Sequence, residues 1–132
     1  FLRQFVRDLI GEGCHESMDS EKQAPVMERP LRLVERPDPH PGPGQVRIKV
    51  QACGVCRTDA HIAEGDLPLH KSPLVLGHEI VGVVDEIGAG VERFRPGQRA
   101  GVTWLHAACG RCKFCRMGKE NLCTEARFTG WD

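Results

Sequence analysis

The 132-residue sequence contains no tyrosine, and aromatic residues make up only 5% of it. So few aromatic rings disfavour a surface on which nucleic-acid bases stack. The 18 lysines and arginines balance the 18 aspartates and glutamates, so the formal net charge is zero. A neutral chain lacks the general attraction that binds nucleic acid or an anionic membrane, and no apolar run approaches the roughly 20 residues that span a bilayer. We therefore expect neither nucleic acid nor a membrane as a partner.

Two sequence signals are also missing. No Gly-x-Gly-x-x-Gly follows a predicted strand, so no half of a dinucleotide-binding fold is recognisable. No apolar signal-peptide stretch stands at the start. The seven cysteines are odd in number and several are spaced as C-x2-C, which argues against a disulfide framework. We expect reduced thiols, metal sites and a cytoplasmic location.

Glycines, prolines and valines are plentiful, which is typical of a β-rich domain with many turns. The clearest strand covers residues 45–52, where apolar and polar side chains alternate and one face is predicted to be buried. Residues 79–87 and 99–105 also have strand patterns. A short helix is predicted at residues 57–64, ended by Gly65.

The N-terminal part of the chain has a different character. Residues 24–35 contain Pro25 and Pro30 and are predicted to be extended. Residues 1–10 place apolar side chains at helical spacing with arginines opposite, a pattern also found in targeting peptides. Cys14 and His15 have no further ligand at a zinc-site spacing, so we expect no function for them. We predict residues 1–23 to be an appendage and residues 24–132 to be one domain.

Four cysteines within residues 109–123 form the strongest motif, with the spacing C-x2-C-x2-C-x7-C; they are Cys109, Cys112, Cys115 and Cys123. Four thiolates suit a closed, tetrahedral structural zinc site, and the short loops between them keep the entropy cost of closure small. Two disulfides would require an oxidising compartment. An iron–sulfur cluster has familiar cysteine spacings that differ from this one. The motif therefore favours a structural zinc lobe at residues 109–123.

The charges between these cysteines fit the same interpretation. Four thiolates and one divalent zinc ion carry a formal charge of −2. Four cations, Arg111, Lys113, Arg116 and Lys119, stand between the ligands against the single anion Glu120. This surplus of positive charge offsets the cluster and is expected to lower the thiol pKa values.

A second group of candidate ligands lies at residues 53–61 and 77–79, where Cys56 and His78 are flanked by glycines and predicted strands. Taken alone, each has a plain alternative, Cys56 as a small buried residue and His78 as a hydrogen-bonded core histidine. A catalytic zinc normally has three protein ligands and water. The third ligand would be Glu79, another water, or a group outside this sequence.

Three neighbours of Cys56 favour the catalytic alternative. Asp59 lies one helical turn after Cys56, where its carboxylate can accept the free N–H of a metal-binding imidazole. Thr58 and His61 are three residues apart on one helical face. Their hydroxyl and imidazole predict a route by which a proton leaves an alcohol beside the metal for solvent.

With these motifs the sequence resembles the zinc-dependent alcohol dehydrogenases of the medium-chain dehydrogenase/reductase superfamily. The resemblance covers roughly residues 24–132 and is carried by the nine residues at 53–61, Gly-His-Glu at 77–79 and the four-cysteine lobe. It implies a mainly β fold, a GroES-like barrel with short helices and a zinc-binding lobe.

The resemblance also implies roles for single residues. Cys56 and His78 match ligands of the catalytic zinc, and Glu79 matches a carboxylate beside it. Thr58 and His61 match the proton relay, which in the family runs through the cofactor ribose, and Asp59 matches the acid behind the metal ligands. Two further positions complete the set: Arg57 matches a contact to the cofactor pyrophosphate, and Trp104 matches a residue that narrows the substrate pocket. Ordinary core packing is the alternative for Trp104.

The family's activity is the oxidation of primary or secondary alcohols to aldehydes or ketones with NAD or NADP. Its cofactor sits on a separate Rossmann domain, and the resemblance implies that this domain and the family's third zinc cysteine both lie beyond residue 132. The resemblance therefore implies that this chain is part of a longer enzyme, inactive alone, whose full-length form is a homo-oligomer. An alternative from another class is a stand-alone zinc-stabilised GroES-like module without catalysis, which would need no proton relay.

Overall fold

The computed structural model describes residues 17–20, 23–28, 30–34 and 36–132. The predicted amphipathic segment at residues 1–10 and the Cys14–His15 pair lie outside them. The strands are β1 (Ser17–Ser20), β2 (Leu31–Val34), β3 (Val46–Gly54), β4 (Leu74–Val75), β5 (Glu79–Ile87), β6 (Arg99–Val102), β7 (Leu105–Ala107) and β8 (Arg127–Phe128). The helices are α1 (Arg57–Glu64) and α2 (Lys113–Arg116), with 3-10 turns at Val26–Glu28 and Glu120–Leu122. The predicted mainly β fold with short helices is confirmed.

Antiparallel pairing arranges the described strands into three sheets, in the orders β2-β1-β4, β3-β5-β6 and β7-β8. Strand β1 precedes the predicted boundary after residue 23 and pairs with both β2 and β4. The division into an appendage and a domain stays a prediction. Within the described ranges, every helix falls short of the length and apolarity that crossing a bilayer requires.

The sheet β3-β5-β6 carries the hydrophobic core. Its buried cluster consists of Val46, Ile48, Ile80, Val84 and Val102. Burying an aliphatic side chain of this size contributes about 1.5–3 kcal/mol, so the buried faces of β3 and β5 stabilise the sheet. Ala52, predicted on the buried face of β3, is exposed. A β-bulge between Val50 and Ala52 shifts the register there, which breaks the alternation of faces.

The register of β3 and β5 brings two distant segments together. Gly54 at the end of β3 pairs with Glu79 at the start of β5. Cys56 follows Gly54 by two residues, and His78 precedes Glu79 by one. The end of this ladder therefore positions both candidate ligands.

Helix α1 begins directly after Cys56 and ends where the sequence predicts. Gly65 adopts a left-handed conformation with φ of 97°, and its N–H donates to the His61 carbonyl, an arrangement that glycine adopts at little cost. Gln23 also stabilises the C-terminal end of α1. The Gln23 side-chain amide donates to the carbonyls of Ile62 and Leu67, at 2.9 and 2.5 Å.

The structure contradicts the predictions for two extended segments. Residues 24–35 are not extended throughout, because Glu28 N–H donates to the Pro25 carbonyl and closes a 3-10 turn before β2. The predicted strand at 99–105 is two strands, β6 and β7. At the break, Thr129 donates its N–H to the Trp104 carbonyl and its hydroxyl to the Thr103 carbonyl. These bonds draw the backbone away from β5 and toward β8.

Candidate metal centres

The four-cysteine lobe folds its sulfur atoms into one cluster. The ligand atoms of Cys109, Cys112, Cys115 and Cys123 all lie within 4.8 Å of one another. Cys115 Sγ lies 3.5 Å from Cys112 Sγ and 3.9 Å from Cys109 Sγ. A tetrahedron with Zn–S bonds of about 2.3 Å has edges of roughly 3.8 Å, so these separations fit a zinc ion. None of the six described cysteines forms a disulfide bond, which does not support the disulfide alternative.

Backbone N–H groups also point at these sulfurs. Cys109 Sγ accepts from Cys112 N–H at 3.4 Å, and Cys123 Sγ accepts from the N–H groups of Cys109 and Glu125, each at 3.4 Å. Hydrogen bonds from the backbone N–H groups of Arg111 and Cys112 lower the pKa of Cys109 to about 6. Burial, and then a hydrogen bond with Cys112, raise the pKa of Cys115 to about 12. The predicted lowering of the thiol pKa therefore holds for Cys109, through backbone N–H groups, but is wrong for Cys115, whose deprotonation a metal cation would favour.

The positive surplus around the lobe is smaller than the sequence predicted. Arg111 Nη2 lies 3.0 Å from a carboxylate oxygen of Glu125, and both side chains are exposed. Glu125 lies beyond the last cysteine, so the count of charges between the ligands missed it. The Lys113 Nζ stands 4.8 Å from the centre of the Phe114 ring. Arg111 therefore interacts first with Glu125 and second with the Cys109 thiol, and both interactions raise the pKa of its guanidinium.

Cys56, Asp59 and His78 form the second group of candidate ligands, with their ligand atoms within 4.8 Å of one another. The start of α1 fixes Cys56: its sulfur accepts from Thr58 N–H at 3.3 Å, and its own N–H donates to Asp59 Oδ2 at 2.9 Å. This reciprocal arrangement is a capping box, in which cysteine and aspartate occupy the places usual for serine or threonine and glutamate. The motif around Cys56 therefore orients the thiol while it starts the helix.

Asp59 connects the two ligand-bearing segments. Its Oδ1 accepts from Gly77 N–H at 3.1 Å, beside His78, while its Oδ2 holds Cys56 N–H. The residue is only 7% exposed. Because each of its oxygens accepts one backbone N–H group, the carboxylate links Cys56 to Gly77. We call this pair of hydrogen bonds the Asp59 clamp.

His78 is buried with an unsatisfied ring nitrogen. The residue is 3% exposed, and among the described residues its Nδ1 has no hydrogen-bond partner. Asp59 Oδ1 is 3.2 Å away, but the angles are not those of a hydrogen bond. A buried, unpaired imidazole nitrogen beside a thiol is costly as ordinary packing. It is consistent with an imidazole that binds a metal ion beside Cys56, with the Asp59 carboxylate close to the ring.

The predicted relay residues follow on the same helix. Thr58 is half-buried one residue from Asp59, whereas Arg57 is exposed at the first turn. His61 Nδ1 lies 2.6 Å from Asp66 Oδ2, just past the Gly65 turn. Asp66 was not among the residues predicted from the sequence. Its signal was local, an acid one residue after the helix-ending glycine, where the chain turns back toward His61.

Glu79 is not brought into the second group. It is exposed at the first position of β5, and its carboxylate lies against Gly54 on the paired strand. Among the described residues, only Cys56, Asp59 and His78 make up this group. The predicted place of Glu79 beside the metal stays a prediction.

An aromatic cluster stands next to His78. Trp104 meets the His78 ring edge-on, with ring centres 4.7 Å apart. Trp104 also stacks on Phe128 at 4.7 Å and on Trp131 at 6.1 Å. The sequence did not predict Phe128 and Trp131 as neighbours of Trp104, because only the fold places them over its ring. Trp104 therefore forms a wall beside the candidate ligand.

Comparison with known proteins supports this picture. An alcohol dehydrogenase of Rhizobium meliloti is 52% identical over 104 residues, covering 78% of this chain and 31% of the relative. The cobalt- and zinc-bound thermostable alcohol dehydrogenase from Pyrobaculum aerophilum matches with a TM-score of 0.77 and 30% identity, covering 88% of this chain and 35% of that one. Acetophenone reductase from Geotrichum candidum in complex with NAD matches with a TM-score of 0.69 and 38% identity, covering 89% and 34%.

The chain thus spans 31% to 34% of the length of the first curated relatives it matches. Residues 42–131 match the family model of the alcohol dehydrogenase GroES-like domain. That range contains both ligand groups, the predicted relay residues and Trp104. The resemblance stated from the motifs is confirmed, and the chain belongs to the alcohol dehydrogenase family through its GroES-like domain.

Proposed function

We propose that this chain is the metal-binding part of a zinc-dependent dehydrogenase that oxidises a primary or secondary alcohol to an aldehyde or ketone. The proposal rests chiefly on one observation: Cys56 and the unsatisfied His78 meet beside Trp104 although 22 positions separate them in the sequence. The family membership supports the same reaction. The substrate is a small alcohol, or an aldehyde in the reverse direction.

Zinc occupies two places in this proposal. The four-cysteine lobe holds a structural ion, since its thiol geometry leaves no position open for substrate. Cys56 and His78 hold the catalytic ion, and Glu79 stands beside it. When bound there, zinc lowers the pKa of an alcohol hydroxyl, so that its proton leaves near neutral pH.

The residues of α1 move that proton. The Thr58 hydroxyl accepts it from the alcohol and passes it toward His61. Asp66 holds His61 Nδ1 at 2.6 Å, which leaves Nε2 of the same ring free to exchange the proton with solvent. Asp59 keeps Cys56 and His78 in register, and the exposed Arg57 is placed to meet a cofactor phosphate.

The hydride acceptor is NAD or NADP, as in the NAD complex of the structural relative. No Gly-x-Gly-x-x-Gly occurs in the sequence, so a Rossmann domain outside it would bind most of the cofactor. The whole enzyme is a homo-oligomer, and its thiolate ligands fit the reducing cytoplasm. Supplied with zinc, an alcohol and either dinucleotide, the isolated chain is expected to transfer no hydride.

Zinc content tests the proposal directly. Mass spectrometry under native conditions is expected to find one tightly bound zinc per chain and a second, weaker one. Cys109→Ser should remove the tight ion, Cys56→Ser only the weak one, and Cys53→Ser neither, because Cys53 lies outside both groups of candidate ligands.

Unchanged zinc in Cys109→Ser would contradict the structural site. If the wild type and Cys56→Ser bound zinc identically, the assignment of the catalytic zinc to Cys56 would be wrong. The result would then favour the stand-alone GroES-like module, which needs the lobe but not Cys56.

A further inference from the structure

Three residues with no role in the proposed reaction connect the segment beside Trp104 to the loop after α1. They are His70, Trp131 and Asp132. His70 stacks on Trp131 with ring centres 4.1 Å apart. Asp132 Oδ1 lies 2.7 Å from His70 Nδ1. Trp131 in turn donates its indole Nε1–H to the Pro68 carbonyl at 2.8 Å. Stacking and two polar contacts thus fasten the segment after β8 to the loop that follows α1.

The same segment reaches the candidate metal site from the other side. Thr129 N–H donates to the Trp104 carbonyl at 2.9 Å. Gly130 packs on Gly77, so closely that a Cβ atom on Gly130 would lie 2.7 Å from the Gly77 carbonyl oxygen. Gly77 immediately precedes His78. The chain from Thr129 to Asp132 therefore joins the backbone at His78, the Trp104 wall and the loop carrying His70.

We propose that His70, Trp131 and Asp132 form a latch that holds Trp104 edge-on against His78 and so sets the width of the pocket beside the metal. The latch makes His70 and Asp132 positioning residues and Trp131 a specificity-determining one. It rests on the proposed function in one respect, since the pocket matters only if Cys56 and His78 bind the metal. Without the latch, Trp104 gains freedom and bulkier groups reach that site.

Two indole N–H groups, from Trp104 and Trp131, make the latch visible by NMR. His70→Ala removes the stacking partner and the contact to Asp132. We expect hydrogen exchange at the Trp131 indole to accelerate roughly tenfold. The ring protons of His78 should also shift, because the ring current of Trp104 reaches them at 4.7 Å. His70→Phe, which keeps the stacking, should restore most of both signals.

His40→Ala is the matched control, because His40 is an exposed histidine beside Glu86 and lies outside the aromatic cluster. A His70→Ala spectrum that matches this control at Trp131 and His78 would overturn the latch. Restoration by His70→Phe separates positioning from misfolding, since a general loss of structure would not be repaired by a ring at one position.

A second measurement tests the pocket width in the chain with cobalt added in place of the weakly held zinc. Imidazole and 4-phenylimidazole are titrated while the visible cobalt spectrum is followed. In His70→Ala, binding of 4-phenylimidazole should strengthen roughly fivefold relative to imidazole; an unchanged ratio would show that the latch does not set the width. If no cobalt spectrum arises from the Cys56 site, the proposed function fails, and the NMR result still decides whether the latch holds Trp104.

Discussion

Asp59 shows how one carboxylate can organise a site without belonging to the reacting groups. It is nearly buried, and its two oxygens each accept a backbone N–H, one beside each candidate ligand. Hydrogen bonds to a charged acceptor are stronger than those between neutral groups. The carboxylate therefore stabilises the fold and the geometry of Cys56 and His78 together.

Replacing Asp59 with asparagine tests this clamp. One oxygen becomes an NH2 group that faces a backbone N–H, so a buried donor loses its acceptor. We expect Asp59→Asn to lower the free energy of unfolding by about 1–3 kcal/mol, measured by urea denaturation with zinc present. Asp66→Asn is the matched control, since the Asp66 side chain is 62% exposed and should change stability by under about 1 kcal/mol. Equal losses in the two variants would refute the clamp.

Single residues were predictable from the sequence where local spacing determines their position. Asp59 falls one turn after Cys56, and the helix start brings their side chain and backbone together. Trp131 and His70 are 61 positions apart, as the difference of their numbers shows. No periodicity relates them, and only the tertiary fold stacks one on the other.

At the scale of secondary-structure elements, β5 was predicted with its correct bounds because its own sequence determines it. Five of the nine residues from Glu79 to Ile87 are valine or isoleucine, which favours a strand, and the strand is central in its sheet. The break between β6 and β7 was not predictable, since hydrogen bonds from Thr129 cause it. Elements with complete local patterns were thus recognised, and those shaped by distant partners were not.

The two faces of β5 provide an internal comparison. Val84 is 1% exposed within the core, whereas Val81 on the same strand is 45% exposed. Val84→Ala should lower the free energy of unfolding by about 2–3 kcal/mol through lost burial and a residual cavity. Val81→Ala, the same substitution, should cost under about 1 kcal/mol. Thermal unfolding of both variants measures the difference, and similar losses would show that the core lies elsewhere.

In the molecule as a whole, two parts have different sources of stability. The sheet β3-β5-β6 has a buried aliphatic cluster. The lobe at residues 109–123 buries two cysteines and leaves Met117 and Leu122 largely exposed. Its order must therefore come mainly from the metal, since ligand binding contributes folding free energy where apolar burial is small.

Removal of zinc should therefore accelerate hydrogen exchange in the lobe and leave it unchanged in the sheet. After treatment with a strong zinc chelator and a reductant, we expect the amides of Arg116 and Lys119, which hydrogen-bond within the lobe, to exchange at least about tenfold faster. The Val84 amide, which donates to the Gln98 carbonyl at 2.8 Å, should keep its protection, because the core sheet needs no metal. NMR measures the exchange rates of the lobe amides and of the Val84 amide in one sample. Readdition of zinc should restore the protection of the lobe amides. Simultaneous loss of protection at Val84 would instead show that lobe and sheet fold as one cooperative unit.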